Sequence, residues 1–108
     1  FASDNVMREK KFAALFPAKF FYPELTGEAA EEKIGVQGIA DCVFAEDGKL
    51  VIVDYKTDTG VDAEALLDRY SAQLGIYREA LSQALGMPVK ETLLYSFFMN
   101  STVKVGTV

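Results

Sequence analysis

The chain has no histidine and only one cysteine, Cys42, among its 108 residues. Without imidazole, Ser-His-Asp and Cys-His nucleophilic catalysis are excluded within this chain, as is any metal site built on histidine. One thiol excludes a disulfide scaffold, a cysteine-rich zinc site and a self-contained four-cysteine iron–sulfur cluster. The apolar runs are too short to cross a bilayer and the N-terminus lacks a signal-peptide pattern. The expectation is a protein of the reducing cytoplasm with no membrane partner. Positive charge is also scarce: 11 Lys and Arg stand against 16 Asp and Glu, a net charge of −5. That balance argues against tight independent binding to a nucleic-acid backbone, where basic patches dominate affinity. It does not argue against a site for Mg²⁺, which takes oxygen ligands and negative charge. The chemistry left is that of carboxylates, with Lys and Tyr as helpers.

Half the residues are hydrophobic and a quarter are charged, as in an ordinary globular protein, and the length suits one domain over residues 1–108. The stretch "NVMREKKFAALFP" reads as a strand ending at Pro17. Pro23 to Lys33, polar and acidic with Pro and Gly, reads as a loop with room for one helical turn. "GVQGIADCVFAEDGKLVIVDYKT" reads as two strands around Asp47-Gly48, a dipeptide favoured in tight hairpins. In this reading Val36, Ala40, Cys42 and Phe44 line one face of the first strand, while Ile39 and Val43 flank Asp41 on the other. Both faces are largely apolar, which predicts a central hairpin covered on both sides. Asp62 is the predicted N-cap of a helix that stops at Gly86 and Pro88. Within it Ala63, Leu66, Leu67, Tyr70, Leu74, Tyr77, Leu81 and Leu85 form one apolar stripe. "KETLLYSFF" and "STVKVGTV" read as two further strands joined near Met99-Asn100. The order predicts an α/β (α+β) fold: a mixed central sheet with a β-hairpin core and a packed helix.

The hairpin has a chemical consequence. With a two-residue turn at Asp47-Gly48, Glu46 pairs with Lys49, Phe44 with Val51, Val43 with Ile52, and Asp41 with Asp54. Residues directly opposite each other share a face, with Cβ atoms about 4.5–5.5 Å apart, and Lys56 follows Asp54 on that face. Like charges placed so are destabilising. They share a proton, they share a cation, or the register differs and one points to solvent. A divalent cation suits the separation, since Mg²⁺–O bonds are about 2.0–2.1 Å. A water activated there, near Lys56, makes a hydrolytic site for which phosphodiester cleavage is the best-fitting chemistry. The bland alternative is an ion pair at a strand end.

"GIADCVFAEDGKLVIVDYKTD" resembles the core of the PD-(D/E)XK nuclease superfamily, in particular its RecB-like branch, where a Gly-x-x-Asp strand precedes an Asp-Tyr-Lys-Thr strand. "QLGIY" is similar to that branch's Gln-x-x-x-Tyr helix motif, here Gln73 and Tyr77, and "REKKF" to the first strand of its AddA-type members. The resemblance runs from about Arg8 into the last strand and implies a restriction-endonuclease-like fold. It further implies that Asp41 and Asp54 bind Mg²⁺ (or Mn²⁺) with the backbone carbonyl of Tyr55. Lys56 would orient the attacking water, with Gln73 and Tyr77 beside the centre. Tyr77 and Gln73 have a purely structural alternative, packing and a strand-end hydrogen bond. Glu9 is expected to pair with Arg8, Lys10 or Lys11 rather than reach the metal. Thr57 and Asp58 either contact substrate or cap the turn. Arg69, Arg78, Lys90 and Lys104 are candidate phosphate contacts that read more simply as solvated surface.

The implied activity is metal-dependent hydrolysis of DNA, single-stranded and fed by a helicase during end processing and recombinational repair. The implied partners are DNA, a helicase region of the same parent chain and a second nuclease subunit. Many members carry a histidine on a helix upstream of this core, and this chain has none. The expectation is therefore a C-terminal piece of a larger helicase–nuclease, which need not be active alone. The competing classes are a Mg²⁺-dependent nucleotide hydrolase and a non-catalytic nuclease-fold module that docks a partner subunit. No Walker-type glycine-rich loop supports the former.

Overall fold

The computed structural model describes residues 6–105. Five strands and two helices follow one another as β1 (Met7–Pro17), α1 (Gly27–Glu31), β2 (Lys33–Glu46), β3 (Lys49–Lys56), α2 (Ala63–Leu85), β4 (Val89–Ser96) and β5 (Ser101–Val105), with a short 3-10 turn at Ala18–Phe20. The strands lie in the sheet in chain order. β1–β2, β2–β3 and β4–β5 are antiparallel and β3–β4 is parallel. Only the parallel pair needs a crossover, and α2 supplies it. The expected mixed sheet with a packed helix is what forms. Phe97 and Phe98, read as strand from the sequence, instead lie in the turn before β5. The predicted last strand runs on to Val108, and its final three residues fall outside the described part.

Local chemistry accounts for the boundaries. Asp47 (φ 55°) and Gly48 (φ 75°) both adopt positive φ, the requirement of a two-residue type I′ hairpin. Glu46 accordingly pairs with Lys49, as predicted. The Asp62 side chain accepts from the Ala65 N–H at 2.9 Å and starts α2. Gly86 ends it in the left-handed region, donating to the Ser82 carbonyl.

β3 is the middle strand of five, and Leu50 through Asp54 are all buried. On one face Leu50 and Ile52 join Phe12, Ala14, Phe16, Ala40 and Val43 beneath Ala80 and Leu81 of α2. A second cluster under the same helix gathers Leu66 and Leu74 with Leu94, Val103 and Val105. The helix stripe is as predicted, with Ala80 an additional buried member. On the other face Cys42, Phe44, Val51 and Val53 pack with Val6, Leu93 and Tyr95. No helix residue belongs to that cluster, so among the described residues α2 covers one face of the hairpin, not both.

One expectation about β2 is overturned. Val36 and Ala40 do not share a face with Cys42 and Phe44. Ala40 and Val43, three residues apart, both belong to the cluster beneath α2, whereas Cys42 and Phe44 belong to the opposite one. Ile39 is not in either core and is exposed. The alternation therefore skips at Asp41. The same happens in β1, where Met7 and Phe12 both pack on the α2 side. The β1–β2 register pairs Arg8 with Cys42 and Lys10 with Ala40 but omits Glu9 opposite Asp41. Glu9 has φ 50°, so both strands carry one extra residue at the same level. This is a matched pair of bulge-like irregularities, and such features re-aim side chains near sites.

Candidate functional site

The skip at Asp41 places a carboxylate where a regular ladder would continue. The β2–β3 ladder ends at Cys42–Val53. Beyond it the Tyr55 N–H donates to Asp41 Oδ2 at 2.7 Å. Asp41 is therefore not paired with Asp54 through the regular ladder, which stops one step short of the predicted pairing. The two carboxyl groups still meet. Asp54 is buried at the end of β3, and its pKa is raised above the ordinary value of 3.8. Burial is the main cause, the Lys56 hydrogen bond opposes it, and the neighbouring Asp41 carboxyl adds to the rise.

Lys56 Nζ lies 2.8 Å from Asp54 Oδ2, with its side chain 16% exposed and that of Asp54 12%. The same ammonium sits over the Tyr70 ring, 3.9 Å from its centroid. Asp54 and Lys56 thus share the α2 face, as their spacing predicts, and Lys56 is held from two sides. In an extended strand the N–H and C=O of one residue face the same neighbour. Tyr55 turns its N–H to Asp41 on the β2 side, and the next carbonyl, of Lys56, accepts from Phe97 N–H beyond β4. The Tyr55 carbonyl accordingly faces β2, past the end of the ladder.

These oxygens suit a hard cation. Two carboxyl groups brought together with one pKa raised are a pair that cannot both ionise cheaply, and a divalent ion relieves that conflict. Among the described residues no group of three or more His, Cys, Asp or Glu side chains is gathered for a metal. The donor set on offer is Asp41, Asp54 and backbone.

The other predicted residues divide. Gln73 and Tyr77 lie one turn apart on α2, with Gln73 Nε2 donating to Tyr77 Oη at 3.4 Å. No hydrogen bond or ion pair among the described residues joins either of them to Asp41, Asp54 or Lys56. Tyr77 packs edge-on against Phe12, ring centroids 4.9 Å apart. This contact explains Gly38, the glycine of the Gly-x-x-Asp strand. A Cβ there would stand 2.9 Å from Phe12 Cζ and from Tyr77 Cζ and Oη. Glu9 is exposed and makes no ion pair among the described residues, so the expected pairing with Arg8, Lys10 or Lys11 does not form. Thr57 is exposed just past β3.

Asp58 accepts from the Tyr70 hydroxyl at 2.9 and 2.8 Å and from Arg69 Nη1 at 2.8 Å. Its pKa is lowered, first by Tyr70 and then by Arg69. Lys90 is engaged by Glu46 and Asp47 at the hairpin turn. Two of the four basic candidates are therefore committed to carboxylates. Tyr70 is the residue that sequence reasoning missed. It stood in the apolar stripe, and nothing in a helical repeat distinguishes a tyrosine that packs from one that faces an ammonium.

The chain matches a family described as the PD-(D/E)XK nuclease superfamily over residues 5–106. It is 40% identical over 104 residues to the ATP-dependent helicase/nuclease AddA of Clostridium botulinum (strain Hall), covering 95% of this chain and 8% of that protein. It is 49% identical over 92 residues to the protein of the same name from Desulforudis audaxviator, covering 83% of this chain and 7% of the relative. The chain therefore spans less than a tenth of the length of these relatives. No described helix is long and apolar enough to cross a membrane. With a match across nearly its whole length, and with the Asp41, Asp54 and Lys56 arrangement in place, this chain belongs to the PD-(D/E)XK nuclease superfamily.

Proposed function

We propose that this domain hydrolyses DNA phosphodiester bonds with a divalent cation, Mg²⁺ or Mn²⁺, held by Asp41, Asp54 and the Tyr55 carbonyl. The observation that carries the reading is the juxtaposition of the Asp41 and Asp54 carboxyl groups with Lys56 Nζ 2.8 Å from Asp54. Bound there, the cation would neutralise the phosphate and make a nearby water more acidic. The chain's own residues do the rest. Asp54, with its raised affinity for a proton, gains most from a cation partner. Lys56 supplies a fixed positive charge for the phosphate and a donor that orients the attacking water. Gln73, exposed on α2 and tethered to Tyr77, is offered to the substrate strand, while Tyr77 acts through packing.

The substrate we assign is single-stranded DNA delivered by a helicase region of a longer parent chain, in end processing and recombinational repair in the cytoplasm. A second nuclease subunit is the proposed partner. The names of the relatives support the helicase context, and the net charge of −5 fits a domain whose positive DNA channel lies on other domains. Calorimetric titration of Mn²⁺ into wild type and Asp54→Ala tests the site. Wild type should bind and the variant should not, and Lys56→Met should bind the ion yet fail to cleave single-stranded DNA. Equal heats from wild type and Asp54→Ala would leave the nuclease-fold docking module as the better account.

A further inference from the structure

We propose that Tyr70 is a positioning residue that holds the Lys56 ammonium over its ring, and that Asp58 and Arg69 lock Tyr70 in place. The inference rests on the assignment of Lys56 above and adds a residue that no motif contains. A lysine has a long flexible stem and loses considerable rotamer freedom when fixed. Lys56 is nevertheless largely enclosed, with Asp54 on one side and the Tyr70 ring on the other.

The two restraints are not equivalent. An oxygen of Asp54 that turns to a cation is no longer free for Lys56, whereas the ring face competes with nothing. The ring therefore keeps the ammonium in place whichever partner Asp54 takes.

Tyr70 is itself fixed. Its hydroxyl donates to the Asp58 carboxylate, which also receives Arg69. Asp58 follows Lys56 by two residues, and Arg69 and Tyr70 lie in the second turn of α2. The contacts thus tie the end of the active strand to the helix that covers it. A phenol hydrogen-bonded to a carboxylate also carries more electron density in its ring, which favours a cation on its face.

The test has a structural and a kinetic arm. In ¹³C-labelled chain, the Lys56 ε-methylene should show an upfield ring-current shift with and without Mg²⁺. The shift should persist in Tyr70→Phe and vanish in Tyr70→Leu. In the full reading frame that carries this chain, Tyr70→Leu should lower kcat on single-stranded DNA about 3- to 30-fold, the range expected of a cation–π contact. KM should be little changed, the Mn²⁺ binding heat should match wild type, and Tyr70→Phe should restore most of the rate. If Tyr70→Leu does not fold, Tyr70→Met is read in its place.

A wild-type Lys56 without the upfield shift would overturn the proposal. So would a folded Tyr70→Leu or Tyr70→Met variant that turns over at the wild-type rate. Lys56→Met cleaving normally would instead sink the nuclease role of Lys56 and leave the ring contact standing.

Discussion

Replacing Gly38 with alanine adds one methyl group at a place with no room for it. The new carbon would sit 2.9 Å from three atoms, Phe12 Cζ, Tyr77 Cζ and Tyr77 Oη, all on rings already in edge contact. Neither ring is the free end of a flexible chain, so relief requires Tyr77 and Phe12 to separate. Overpacking of this kind costs about 1–3 kcal/mol. Gly38 is not among the residues with positive φ, so alanine meets no backbone strain. It regains roughly 0.4–1 kcal/mol by narrowing the unfolded ensemble. The net loss should be roughly 0.5–2 kcal/mol, and each kcal/mol lowers the melting temperature of a domain this size by about 4–8 °C. Urea unfolding followed by far-UV circular dichroism is the assay, because the chain has no tryptophan to report. A double-mutant cycle with Tyr77→Leu, which removes two of the three crowded atoms, should recover a coupling of the same order. If Gly38→Ala is as stable as wild type, or its cost is unchanged without the Tyr77 ring, the packing account of this glycine is wrong.

In chelator, Asp54→Asn should stabilise the domain at neutral pH. The raised pKa of Asp54 means that the native state holds its proton longer than the unfolded chain. Stability from this group is therefore lost as pH rises from the ordinary value of 3.8 through the folded value. The advantage of Asn should shrink toward zero below that window, and a gain independent of pH would refute it. Mg²⁺ should invert the ranking by raising the melting temperature of wild type and leaving Asp54→Asn unmoved. Asp58→Asn works in the opposite sense: its lowered pKa gives stability that is present above pH 3.8 and lost in acid, so thermal melts of variant and wild type should converge as pH falls. Asp62→Ala, which removes the bond to Ala65 N–H, should cost about 1 kcal/mol in urea unfolding. Gly86→Ala, at φ 65°, should cost roughly 1–2 kcal/mol.

The parts legible in the sequence were those governed by local rules. Asp47-Gly48 announced a two-residue turn, and the turn alone dictated the register from Glu46–Lys49 to Val43–Ile52. Asp62 and Gly86 bracketed α2 because capping and left-handed geometry are properties of single residues. The proximity of Asp41, Asp54 and Lys56 followed from the same count, although by a route the count did not contain. Nothing in "GIADCVF" signals that Ala40 and Val43 point the same way. That depends on Glu9, thirty-two positions earlier, adopting φ 50° beside it, and a pairing between two irregular strands has no local signature. Tyr70 was hidden for a related reason. Its partners Lys56 and Asp58 belong to the preceding strand and loop, and only the crossover brings them to the helix.

The irregular step shared by β1 and β2 also means that the inward-facing positions of each strand obey two different parities. Upstream of Asp41 the core-facing residues of β2 carry even numbers, and downstream they carry odd ones. A single-residue deletion between the two halves would restore a uniform zigzag, straighten the ladder and carry the Asp41 carboxylate away from Tyr55. An unbroken alternation through this point would thus be the mark of a chain that had kept the scaffold and surrendered its acid.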